Sequence, residues 1–214
     1  MAAICLAILA IGLFYLGQPA HEPPPQTIDF ANAVHQLTAE DFSAWKEFVP
    51  QSKLFRVELP YPPQHATDLI SMPNSDKKRR FDMYASEKGN GAVFLISVIT
   101  YPEEVHPSSV EDTLKQTIEE LMKHNPDNRL SKSEHTFFDQ HPALDFAIAN
   151  REFLVQGKAL LIGRSVYMLS YASRVGEFDA EDYRYFIDSF QPLESAPVIA
   201  NEPYKSTNNA FSNS

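Results

Sequence analysis

Apolar and polar side chains alternate along much of the chain between Phe55 and Ala172, the period-2 signature of strands with one buried face. Phe55 to Leu59 alternates cleanly and ends at Pro60, Pro62 and Pro63, as a strand leaving a sheet should. Ala66 to Met72 and Arg80 to Ser86 predict two more strands about a polar turn at Asn74 to Lys78. Gly89, Asn90 and Gly91 then turn the chain into a strand over Ala92 to Tyr101. The unbroken apolar run Ala92 to Ile96 demands cover on both faces. Ser133 to Phe138 with Ala143 to Asn150 predicts a hairpin about Asp139 to Pro142. Phe153 to Ile162 with Val166 to Ala172 predicts another about Gly163, Arg164 and Ser165.

Three stretches carry helical spacing instead. Thr38 reads as a cap with Asp41 at the third position, Leu37 and Phe42 as a hydrophobic staple, and Trp45 with Phe48 or Val49 as the buried stripe. Ser108 and Glu111 form a capping box ahead of Val110, Leu114, Ile118, Leu121 and Met122, with the helix running to about His124. On its outer face Lys115, Glu119 and Lys123 are spaced to support it by a few tenths of a kcal/mol per pair. Asp179 caps a last helix with Asp182 at its third position and Tyr183, Phe186, Ile187 and Phe190 on one face. Hairpin-linked strands with helices before, between and after predict an α+β domain over residues 37–194, an antiparallel sheet of about six to eight strands packed between helices.

The ends of the chain have a different character. Met1 to Gly17 holds no charge, and as a helix it would reach roughly 25 Å, near the lower limit for crossing a bilayer core about 30 Å thick. The first Lys or Arg is Lys46, and Gln18 with Ala20 makes a poor cleavage site, so residues 1–17 read as an uncleaved transmembrane signal anchor rather than a removable leader. No basic cluster flanks the segment, which places the soluble domain outside the cytoplasm; secretion after cleavage is the alternative. Residues 18–36, with Pro19, Pro23, Pro24 and Pro25, read as a stiff linker, and 195–214, rich in Asn and Ser, as a disordered tail.

Composition narrows the partners. A net charge of −10 opposes phosphate backbones and argues against nucleic acid. The single cysteine, Cys5, lies inside the apolar leader, so the domain forms neither a disulfide nor a thiolate metal site. Too few residues precede Cys5 for a lipidation signal.

Several segments resemble the PsbP-like superfamily: Phe55 to Pro60 (FRVELP), Tyr101 with Pro102, Pro142 to Phe146 (PALDF), Ile162 to Leu169 (IGRSVYML) and Phe186 to Phe190 (FIDSF). The superfamily includes the extrinsic subunit of photosystem II, a small Ran-binding nuclear import factor and bacterial membrane-anchored domains. The resemblance implies the antiparallel fold and transfers no catalytic or binding residue, because each segment is a core or turn signature.

Candidate chemistry is sparse. His135, Asp139 and His141 are the candidates for a metal site or an oriented base; pairing Phe138 with Ala143 would set His135 opposite Phe146 at the core margin and His141 out at the turn. Lys77, Lys78, Arg79 and Arg80 form the one basic cluster, a candidate for gripping an acidic protein partner or a solvated turn that protects a sheet edge. Tyr101, Tyr167, Tyr171, Arg151 and Arg164 could line a small-ligand pocket. The adjacent pairs Glu103/Glu104 and Glu119/Glu120 diverge in direction and do not flank one bond. No G-x-S-x-G, H-E-x-x-H or phosphate loop is present, and no cofactor is expected. The expectation is a membrane-tethered, non-catalytic accessory domain that binds another envelope protein. A carrier of a small apolar or lipidic ligand, and a hydrolase whose site forms only in three dimensions, are the alternatives.

Overall fold

The computed structural model describes residues 42–72, 75–107, 109–123 and 125–193. The anchor at 1–17, the linker at 18–36, the caps at Thr38 and Ser108, and the tail at 195–214 lie outside the described residues. A 3-10 turn, Phe42–Ala44, leads into β1 (Lys46–Phe48), β2 (Phe55–Leu59), β3 (Gln64–Ser71), β4 (Lys78–Glu87) and β5 (Val93–Thr100). Helix α1 (Val110–Met122) follows, then β6 (Arg129–Phe138), β7 (His141–Ala149), β8 (Phe153–Ile162) and β9 (Ser165–Arg174). Helix α2 (Ala180–Ser189) and β10 (Gln191–Pro192) complete the fold.

Seven strands form one antiparallel sheet in the order β3-β4-β5-β9-β8-β7-β6, and β1-β2-β10 form a small second sheet. The class is α+β, as the alternation predicts. Period 2 sends Val93, Leu95 and Ile99 of β5, with Val166, Met168 and Ala172 of β9, toward α1, where Leu114 and Ile118 cover them. The intervening Phe94, Ile96 and Val98, with Tyr167, Leu169 and Tyr171, face Phe186, Ile187 and Phe190 and the small sheet's Phe55 and Val57. The uninterrupted apolar run of β5 thus has cover on both sides. One cover is a helix, and the other combines α2 with the small sheet rather than helix alone.

Four expectations need correction. The helix expected from Thr38 through Val49 does not continue across the described residues: Lys46–Phe48 is a strand paired with Val57 to Leu59. Pro50 disfavours helical geometry at Val49, and strand pairing prevails over the local periodicity. Trp45 is nonetheless buried, edge-on to Phe94 and Tyr185. The cap of α1 is Ser109, one residue after the expected Ser108; its side chain accepts the Asp112 amide at 3.2 Å, so Asp112 rather than Glu111 holds the third position. The β6–β7 hairpin turns on two residues, Asp139 and Gln140, and pairs Phe138 with His141 instead of Ala143. Asp139 adopts φ 51°, a left-handed conformation that Asp tolerates better than most residues. The β8–β9 hairpin likewise turns on Gly163 and Arg164 alone, Gly163 supplying φ 58°, so Ser165 belongs to the strand.

Candidate functional site

The basic run Lys77 to Arg80 enters β4, and a strand alternates its side chains between faces. The four residues therefore cannot form the single patch expected of them. On the α1 side Arg79 is buried and its guanidinium binds Glu120 of α1, with one nitrogen donating to the Tyr101 hydroxyl at 3.3 Å. Lys77 pairs with Glu104 at 3.5 Å. Tyr101 is also tied through its backbone to Arg164, whose Nη1 donates to the Tyr101 carbonyl at 2.9 Å.

Of the five residues proposed to line a pocket, the fold brings together Tyr101 and Arg164. Tyr167 and Tyr171 are sealed in the core beneath α2, and Arg151 lies exposed in the β7–β8 turn. Burial pushes the Tyr167 phenol up to about 12, and burial together with the Asp182 carboxylate does the same to Tyr171.

Lys78 and Arg80 project from the opposite face, and here β3 and β4 assemble a polar cluster. Register sets His65 opposite Tyr84, Thr67 opposite Asp82 and Leu69 opposite Arg80. Asp82 is buried, and Arg80 grips it twice, Nε to Oδ2 at 2.6 Å and Nη2 to Oδ1 at 3.0 Å. His65 Nε2 lies 3.0 Å from Oδ1, Thr67 adds a further side-chain hydrogen bond, and the imidazole stacks on the Tyr84 ring at 4.4 Å. Burial works to raise the Asp82 carboxyl, but the hydrogen bonds from Arg80, His65 and Thr67 outweigh it and hold the group below its ordinary value. With Nε2 donating to the Asp82 carboxylate, Nδ1 is left as the ring's hydrogen-bond acceptor.

A depressed carboxyl stabilises the fold fully above its unfolded pKa, near 3.9, and that contribution vanishes as pH falls through the lower folded value. Asp82→Asn should therefore lower the melting temperature at pH 7 relative to the unmodified chain, and the gap should close toward pH 2. A gap that persists undiminished at pH 2 would mean that the loss comes from packing instead of charge.

His135, Asp139 and His141 do not converge. The observed register sets His135 opposite Leu144, yet its ring projects into solvent and pairs with Glu111 of α1 at 3.1 Å, so the core-margin position expected for it is not realised. Asp139 is exposed in the turn. Among the described residues no group of three or more His, Cys, Asp or Glu side chains is placed to hold a metal ion.

Sequence reasoning missed His65 and Asp82. No local signal marks them: Asp82, between Phe81 and Met83, looks like any outward position of the strand expected over Arg80 to Ser86. It also missed Lys88, whose Nζ lies 2.9 Å from both oxygens of the fully buried Asp182. A surface groove of about 410 Å³ between the small sheet and α2 is lined by Glu47, Arg56, Glu58, Tyr185, Asp188 and Gln191. Within it Arg56 binds Gln191, and the Tyr185 hydroxyl donates to Glu58. Among the described residues no helix is long and apolar enough to cross a membrane.

No family model matches the chain, and no curated protein matches it. Among solved structures, a Pseudomonas aeruginosa protein of unknown function is 12% identical, with a TM-score of 0.34 over 60% of this chain and 82% of its own. A protein from Bacteroides thetaiotaomicron VPI-5482 is also 12% identical, with a TM-score of 0.34 over 71% of this chain and 50% of its own. Likenesses at this level say nothing of what the chain does.

Proposed function

We propose that the chain is a membrane-tethered, non-catalytic accessory domain of the cell envelope that binds another protein through the outer face of β3 and β4. The carrying observation is what this face leaves exposed. Leu69 is 57% exposed beside Arg80 and Lys78, on an edge strand that pairs with β4 on one side and with no strand of the described residues on the other. An apolar side chain flanked by cations suits an acidic segment bearing an apolar anchor, the recognition mode in which an extended peptide adds to a sheet edge. The tether is the apolar leader at residues 1–17, and the resemblance to PsbP-like domains, themselves often membrane-anchored, belongs to the same reading. Both faces of the central strands are filled by packed side chains, which leaves the space between sheet and helices to the core.

The test uses Leu69 and Lys78, because replacing Arg79 or Arg80 also breaks the ties to Glu120 and Asp82. Full-length protein enriched from native membranes should bring down one reproducible partner. Leu69→Asp with Lys78→Glu should reduce its recovery at least about tenfold, since two contacts of roughly 1 kcal/mol each are lost or reversed. Background alone, or equal recovery by the variant at an unchanged melting temperature, would refute the proposal.

A further inference from the structure

The opposite edge of the sheet is built differently. Strand β6 pairs with β7 and with nothing else among the described residues, and most of its length is exposed. Its register with β7 sets Leu130, Ser133, His135 and Phe137 on the α1 face and Lys132 and Glu134 on the other. Leu130 is 43% exposed and Phe137 is 70% exposed, a large apolar pair at the two ends of one edge. Lys132 and Glu134, two positions apart on the other face, carry opposite charge and sit 3.4 Å from each other.

These features are self-complementary. We propose that β6 pairs antiparallel with β6 of a second copy about a two-fold axis at Ser133, joining two sheets into one. About that axis Lys132 stands directly opposite Glu134 of the second copy, and the symmetry makes the pair twice. On the α1 face Phe137 and Leu130 of the second copy fall on the same side of the axis. They lie within roughly two residue rises, about 7 Å, which an aromatic side chain spans. A bulge between Leu130 and Lys132 and a lysine on the edge are features that discourage pairing with an arbitrary strand. Lys132 already lies 3.4 Å from both Glu134 and Asp145 of its own chain; the self-paired register adds the second copy's Glu134 directly opposite it, which an arbitrary strand does not supply. A single strand pair buries less than the roughly 1,200 Å² of a stable complex, so the dimer is weak and reversible.

The axis supplies the test. Residues directly opposed across antiparallel strands have Cα atoms about 4.5–5.5 Å apart, inside the range a disulfide bridges. Full-length Cys5→Ser/Ser133→Cys in detergent should, under mild oxidation, give disulfide-linked dimers at least about tenfold faster than Cys5→Ser/Ser71→Cys, whose thiol lies on the other sheet edge. Adding Glu134→Lys, a change at an exposed position, should slow the reaction about fivefold by setting lysines opposite each other. Cross-linking no faster than at position 71, or a rate indifferent to Glu134→Lys, would overturn the proposed pairing.

Discussion

Gly157→Ala should destabilise the domain by about 3 kcal/mol, measured by urea denaturation followed through the fluorescence of Trp45, the only tryptophan. In an open strand the same change would gain roughly 0.5–1 kcal/mol, because alanine loses less backbone entropy than glycine on folding. Packing reverses the sign here. Gly157 in β8 is the cross-strand partner of Phe146 in β7, whose ring occupies the space a side chain at 157 would need, within the core beneath α1. A Cβ at position 157 would stand 2.5 Å from the Leu169 carbonyl oxygen and 2.6 Å from the Phe146 Cζ, distances that real Cβ atoms do not tolerate. One of those atoms belongs to the backbone of β9, so rotating the phenylalanine relieves half the conflict. Combining Gly157→Ala with Phe146→Leu should recover at least about 1 kcal/mol relative to the sum of the single changes, since the two positions share one space. A Gly157→Ala chain as stable as the unmodified one would show that β8 and β9 separate more easily than their packing implies.

The glycine was open to reading as a weak point in a strand, but its reason lies in a register that the sequence does not display. Where local rules suffice, the sequence was informative. The limits of β2 at Phe55 and Leu59 agree with alternation and the prolines that follow, and α2 starts where Asp179 caps it, accepting amides from Glu181 and Asp182. The unbroken apolar run Ala92 to Ile96 also foretold that β5 needs two covers. What failed were the places where a distant partner decides: Lys46–Phe48 is a strand because β2 lies beside it, despite helical spacing. The basic run was legible in principle, since placing Arg80 on a strand already sends Lys77 and Arg79 to one face and Lys78 and Arg80 to the other. His65 and Asp82 were not legible, because their 3.0 Å contact depends on which residue of β3 falls opposite which residue of β4. Two outward positions on neighbouring strands look like solvated surface until the register is known.

The same holds most strongly for Lys88 and Asp182, which are 94 residues apart and meet where the end of β4 runs beneath the first turn of α2. Position three of a helix is a common place for a carboxylate, favoured by the free amides and the dipole, and is ordinarily solvated. In this fold Asp182 is 0% exposed, and the Lys88 ammonium sits 2.9 Å from each of its oxygens. Removing one member of such a pair costs more than the pair contributes, because the remaining charge stays out of water. Lys88→Met, which keeps the aliphatic stem and deletes the charge, should therefore cost about 3–5 kcal/mol in urea denaturation. Lys88→Met with Asp182→Leu should return much of that loss, since a packed apolar pair of similar volume is often as stable as the ion pair it replaces. A loss below about 1 kcal/mol for Lys88→Met would mean that the carboxylate reaches water or another donor when the lysine is gone. The packing of Phe186, Ile187 and their aromatic neighbours against the sheet would then carry most of what fixes α2 in place.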